Sequence, residues 1–162
     1  MSRLKALKIL LIVLLVVMFM NISIAVKGTG INDDSPISVV SLEKQDLRET
    51  VRGSIEDESW LRAKSREEVH TILGKYFEGL LLDDLTQESW EFIAEPTDWY
   101  SRAKLLDLVV LSDDGKRSVS EALISIEDLD TGHNGFGKGL FCLVKTDRGW
   151  RINYVAFSWG NS

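Results

Sequence analysis

Few residues in this chain are of the types that do chemistry, and they are scattered. There are two histidines, His70 and His133, and one cysteine, Cys142. Protein-bound zinc takes paired Cys and His ligands at short spacings, which three residues so far apart do not supply. The stretch "DLDTGHNG" alternates Asp128, Asp130 and Asn134 in the manner of a calcium loop. Gly132, however, stands where a third ligand belongs, and no Glu follows at the required distance, so a Gly-rich hairpin loop accounts better for it. His70 directly follows Val69 and falls off the apolar stripe, which reads as a boundary or solvent-facing side chain. No nucleophile elbow, P-loop or dinucleotide fingerprint is present. The expectation is therefore no metal, no cofactor and no legible catalytic set.

Cys142 lies in the apolar run "GLFCLVK". A lone cysteine excludes an internal disulfide and leaves two readings, a small buried side chain, which the run favours, or pairing between molecules.

The elements that must position these residues begin after an export segment. Basic "MSRLKALK" precedes twelve unbroken apolar residues, Ile9 to Met20, and then "NISIAVKG". Ser23 and Ala25 offer the small side chains a signal peptidase needs, with cleavage after Ala25. Read instead through Val26, the run is 18 residues long, inside the roughly 17 to 25 that span a bilayer. Residues 1–26 are thus a signal peptide or a single transmembrane anchor. In either case the basic flank stays inside and the body is exported, to be anchored facing outward or secreted. All 25 acidic residues lie beyond this segment, so the body is more acidic than the formal net charge of −6. Such a body is repelled by nucleic-acid phosphates and by anionic lipid surfaces, which leaves the membrane as a partner only through residues 1–26.

Residues 27–41 collect Gly, Asn, Asp, Ser and Pro36 and read as a linker; residues 42–162 form the domain. Leu47, Val51 and Ile55 at four-residue spacing suggest a short helix interrupted by Gly53. A capping box in "SREE", Ser65 with Glu68, opens a longer one. Its apolar face runs Val69, Ile72, Leu73, Tyr76, Phe77 and Leu80. Thr86 caps a short helix stopped by Pro96.

The period then becomes two. Leu106, Leu108 and Val110 share one strand face, and Ala122, Ile124 and Ile126 share another, on either side of Asp114-Gly115, a strong hairpin signal. A second hairpin joins "LFCLVK" through "TDRG" to "WRINYVAFSW", with Trp150, Ile152, Tyr154 and Ala156 on the face that covers the helix. The class is α+β: a long helix packed on a curved antiparallel sheet of about four strands.

In "YFEGLLLDDLTQESWEFI" and "GLFCLVKTDRGWRINYVAF" the chain resembles the NTF2-like superfamily, also described as cystatin-like α+β, over roughly Ser65 to Trp159. The resemblance implies a cone-shaped sheet closed by a helix, often with a pocket, and functions from isomerases and dehydratases to non-catalytic binding modules. It also implies that an enzyme of this kind holds a carboxylate, Tyr or His inside the cone, where burial raises a carboxylate towards neutrality. Tyr100 and Asp107 are the candidates for such a pocket.

The fold does not select the function. The export segment, the linker and the lack of a catalytic set favour a non-catalytic extracytoplasmic binding or assembly module. Such a module would meet another envelope protein, or itself, through its sheet or through Phe157 and Trp159. The layout resembles bitopic assembly factors of type IV secretion systems. The alternative is an exported small-ligand-binding domain, or an isomerase/dehydratase-like enzyme, that uses the cone pocket; an inward ionisable residue with a perturbed pKa would favour it.

Overall fold

The computed structural model describes residues 37–95 and 101–159. The expected export segment, the linker up to residue 36 and Tyr100 lie outside them. The order is helix α1 (Ile37–Glu56), a 3-10 turn (Ser59–Arg62), α2 (Arg66–Leu73), α3 (Gly79–Ala94), then β1 (Ser101–Asp113), β2 (Arg117–Asp128), β3 (Asn134–Thr146) and β4 (Gly149–Trp159). The strands form one antiparallel sheet in sequence order, so the expected α+β class with a four-stranded meander is what the chain adopts. Among the described residues no helix is long and apolar enough to cross a membrane.

α1 is one continuous helix that passes through Gly53 and is already helical from residue 37, within the stretch composition assigns to the linker. Leu47 and Val51 are buried at their four-residue spacing, and Ile55 packs against the same core. Gly53 does not break the helix because the ring of Tyr76 occupies the space its Cβ would take. A helix interior loses about 1 kcal/mol to glycine relative to alanine, and that loss is offset here by a packed ring.

The Ser65 cap forms as expected: its hydroxyl accepts from the Glu68 N–H at 3.2 Å, while the Glu68 carboxylate accepts from the Lys64 N–H at 2.7 Å. The long helix it was expected to open stops at Leu73. Val69, Leu73 and Phe77 do reach the core, but Leu80 is 82% exposed. The cause is a competing partner for the backbone. Residues Tyr76 to Glu78 leave the helix and dock on β4, where Ile152 N–H donates to the Tyr76 carbonyl at 2.8 Å and Glu78 N–H donates to the Ile152 carbonyl at 3.0 Å. This bridge covers part of the β4 edge, which would otherwise present unpaired backbone groups. α3 then starts at Gly79, seven residues before the expected cap. Thr86 is inside α3, buried, with its hydroxyl donating to the Leu82 carbonyl at 2.7 Å, the back-bonded alternative to capping.

The Asp114-Gly115 hairpin is present, Gly115 adopting φ +78° and the Asp114 carboxylate accepting from the Lys116 and Arg117 N–H groups. Two irregularities correct the strand faces. β1 is bulged at Leu106, so the inward residues are Ala103 and Leu105 and then Leu108 and Val110, while Leu106 is exposed. β4 is bulged at Asn153, so Trp150 and Ile152 are followed inward by Val155, and Tyr154 turns out to solvent. One extra residue inverts the side-chain alternation beyond it. α1 packs against both β1 and β4, the two edges of the sheet. Four strands at their usual spacing are about 14 Å wide, so a single helix touches both edges only where the sheet curls around it.

Candidate functional site

The curl leaves a cavity of about 180 Å³ between the helices and the concave face of the sheet. Its helical wall is made by Ile55, Trp60, Leu73, Phe77, Leu85 and Phe92. Its sheet wall includes Ala103, Ile124, Phe141, Val155, Phe157 and Trp159. The sheet side carries a run of rings: Phe141 meets Phe157 edge-on at 5.8 Å, and Phe157 stacks with Trp159 at 6.2 Å. Such offset and edge arrangements are the favourable ones for aromatic pairs. Trp60 and Phe92 are tilted across the other wall at 6.0 Å.

Two glycines of β3 make room for that run. Gly137 pairs with Trp159 and Gly139 with Phe157. A Cβ on Gly137 would collide with the Trp159 ring, and one on Gly139 would stand 2.6 Å from Phe141 and 2.8 Å from Phe157. Gly137 and Gly139 are thus strand residues over which aromatic rings lie.

The polar side chains of the lining are Ser54, Ser89, Ser101, Asp57, Glu58 and Glu88, with no Lys, Arg or His among the described residues that line it. The two best-defined carboxyls differ in state. Asp57 Oδ2 accepts from the Tyr76 hydroxyl at 2.8 Å and Oδ1 from the Ser59 N–H at 2.9 Å. Burial pushes its pKa up, but these bonds outweigh that and hold it below the usual aspartate range. Glu88 has no such support. Its Oε2 is buried without a hydrogen-bond partner among the described residues. Burial, followed by the nearby charges of Asp84 and Glu91, pushes its pKa up to about 7. A second orphan belongs to the same lining, the buried Nε1–H of Trp159.

The residues singled out by sequence fall as follows. Asp107 is exposed on β1, its carboxylate accepting from the neighbouring Leu108 N–H at 2.8 Å, and it does not line the cavity. Tyr100 lies outside the described residues, although Ser101 lines the cavity. Phe157 and Trp159, expected as a partner surface, form part of its sheet wall. His70 is exposed, 3.8 Å from Asp83. His133 is an exposed loop residue, and Asp128 Oδ1 accepts from the Asp130 and Thr131 N–H groups, so the calcium-like stretch is a hydrogen-bonded turn. Among the described residues no cluster of three His, Cys, Asp or Glu side chains could hold a metal ion. Cys142 is half-buried, and burial pushes its thiol pKa up, away from the thiolate that makes a cysteine reactive.

Glu88 is the residue that sequence reading missed. Once α3 is started at Gly79, Glu88 falls three residues after Leu85 and four before Phe92, on the apolar stripe of the helix. A lone carboxylate on that stripe was the available signal.

No family model matches this chain, and no curated protein matches it. Among solved structures it is similar to the crystal structure of the intermembrane space region of the chloroplast protein ARC6, at 14% identity and a TM-score of 0.43, over 79% of this chain and 100% of that one. A likeness so distant carries no argument about function.

Proposed function

We propose that this chain is an extracytoplasmic domain that binds a small, largely apolar molecule in the cavity between its helices and its curled sheet, without transforming it. The observation that carries this reading is the cavity itself: about 180 Å³, walled by aromatic side chains, with two buried polar atoms that lack partners among the described residues. Ligand sites are concave and mostly apolar, with a few polar groups to orient the ligand. Buried polar atoms left unpaired are costly unless something satisfies them. A helix-closed antiparallel meander with a pocket on its concave face supports the NTF2-like resemblance. Export rests on the sequence of residues 1–26.

Native mass spectrometry of the full chain, gently extracted from its own cells, tests this. Ala103→Phe, on the sheet wall, serves as the blocked control. A reproducible small-molecule adduct on the wild type that is absent from the variant is the expected result; equal spectra with no adduct would overturn the reading.

A second reading, an assembly module, is favoured by one feature. Val109, Leu111 and Leu123 are exposed on β1 and β2, an apolar patch of the kind that another chain covers. Lys substitution at all three would abolish crosslinks to a partner envelope protein or to a second copy if that patch is the functional one.

A further inference from the structure

We propose that the cavity is a site for a small organic cation, an alkylated ammonium group that the aromatic walls enclose and the Glu88 carboxylate neutralises. This rests on the small-ligand reading and adds the chemistry of the ligand. Three features point the same way. Every ionisable side chain of the described lining is an acid, namely Asp57, Glu58 and Glu88. An anion would therefore meet like charges and no counter-ion. The walls present the faces or edges of Trp60, Phe141, Phe157 and Trp159, and indole and phenyl faces attract ammonium groups, more strongly where water is excluded. Finally, Glu88 Oε2 is buried with no partner among the described residues. Asp57, by contrast, already has a donor on each oxygen, so it adds field rather than contact. Of the two acids that remain, Glu58 and Glu88, Glu88 is the one with a buried carboxylate oxygen that has no partner among the described residues, and it is the carboxyl assigned to touch the cation.

The size agrees. An apolar cavity of about 150 Å³ is known to hold benzene, so this one takes a molecule on the order of six to ten heavy atoms.

Binding is coupled to a proton. With no cation beside it, the Glu88 carboxyl, pushed up to about 7 by burial and then by Asp84 and Glu91, holds its proton below that pH. The entering cation replaces that proton, which leaves to solvent, and net charge is conserved. The groups around Glu88 reinforce the sign. Asp84 and Glu91 of its own helix and Asp57 and Glu58 beyond the end of α1 are acids. The sheet contributes no titratable side chain to the lining, and α2 contributes only Leu73. Arg62 of the 3-10 turn and His70 of α2 are exposed. Affinity for a cation therefore rises as pH rises through about 7, and a neutral ligand held by the protonated carboxyl would show the opposite slope.

The experiment is a calorimetric titration of the full-length chain with choline and with its uncharged isostere 3,3-dimethylbutan-1-ol, at pH 6 and pH 8. The expected result is binding of choline at least tenfold tighter than of the isostere, about tenfold tighter at pH 8 than at pH 6. Glu88→Gln should lose both the preference and the pH dependence. Equal or tighter binding of the isostere, abolished by Ala103→Phe, would overturn the cation assignment while leaving a small-ligand cavity. Binding of neither probe would also overturn it, and the native mass spectrum decides separately whether the cavity is occupied at all. The wild-type comparison of the two probes stands even if the Glu88 variant fails to fold.

Discussion

The ring of Tyr76 lies against the Cα of Gly53, in the volume a Cβ would fill, while its hydroxyl donates to Asp57 at 2.8 Å. That pair of contacts ties the turn between α2 and α3 to the end of α1. Because Asp57 lines the cavity, it also fixes one wall of the site. On helix propensity alone, Gly53→Ala should stabilise the protein by up to about 1 kcal/mol. The ring is held at its far end by the carboxylate and has little freedom to retreat, so the steric term should win, with a net loss of about 1 to 2 kcal/mol. Urea denaturation measures it, and a gain in stability would show that Tyr76 moves freely.

Tyr76 has its own signature. Burial, then the hydrogen bond to Asp57 and that residue's charge, push its pKa up to about 12. Ultraviolet titration of Tyr76→Phe against the wild type should remove one tyrosine that ionises about two pH units above an ordinary one. If the tyrosine lost is instead one that ionises near the ordinary value of about 10, Tyr76 is neither buried nor bonded to Asp57 in solution.

The aromatic wall depends on Gly137 in the same way that α1 depends on Gly53. Gly137→Val would force Trp159 off the sheet, since no rotamer of valine leaves the Cβ position empty. The expected outcome is a red-shifted tryptophan emission and a loss of near-ultraviolet circular dichroism, with far-ultraviolet signal retained. An unaltered emission spectrum would place Trp159 away from β3.

How much of this was legible depended on whether local pattern or a long-range contact decided each residue. The Ser65 cap and the Asp114-Gly115 turn are made by neighbours in sequence, and both are where the pattern puts them. The end of α2 at Leu73 is decided by Ile152, a partner on the last strand that no local periodicity announces. Leu106 and Tyr154 were assigned to the wrong faces because a single bulged residue inverts the alternation beyond it, and nothing in the composition of either strand marks the bulge. Glu88 was hidden by an error upstream: with α3 begun at Thr86 it sits in a first turn, where an acid is unremarkable. With α3 begun at Gly79 it becomes a carboxylate on an apolar stripe.

Trp150 illustrates the part that period alone did resolve. It is 1% exposed, packed in the core formed by α1 and the sheet, with Lys145 Nζ 5.1 Å from the ring centroid. Trp150→Ala should cost about 3 to 5 kcal/mol. A change under about 0.5 kcal/mol in the denaturant midpoint would contradict its place in the core.

Glu88 links the site to stability, and the sign can be worked out. Its ordinary pKa is 4.5 and its folded value is about 7, so between those values the folded chain holds a proton that the unfolded chain has released. Stability therefore falls as pH rises from about 4.5 to about 7 and is level above it, as far as this group is concerned. Asp57 acts in the opposite direction but at lower pH, because its folded pKa is below the usual value: its contribution is present above the unfolded pKa and is lost only as pH falls through the folded one. The window between about 5 and 7 thus isolates Glu88. Because the residue is only half-buried, water screens much of the effect, and the change across the window should be about 1 kcal/mol rather than the full equivalent of the shift. Glu88→Gln removes the titration without removing the volume. It should flatten the pH dependence in this window and leave the protein more stable than wild type at pH 8 and no more stable at pH 5. Thermal melts of both proteins at half-unit intervals measure this. A wild-type profile that rises from pH 5 to pH 7 in step with the variant would show that the carboxyl is ionised and solvated in the folded chain, and the cavity would then lose its one acid poised to exchange a proton for a ligand.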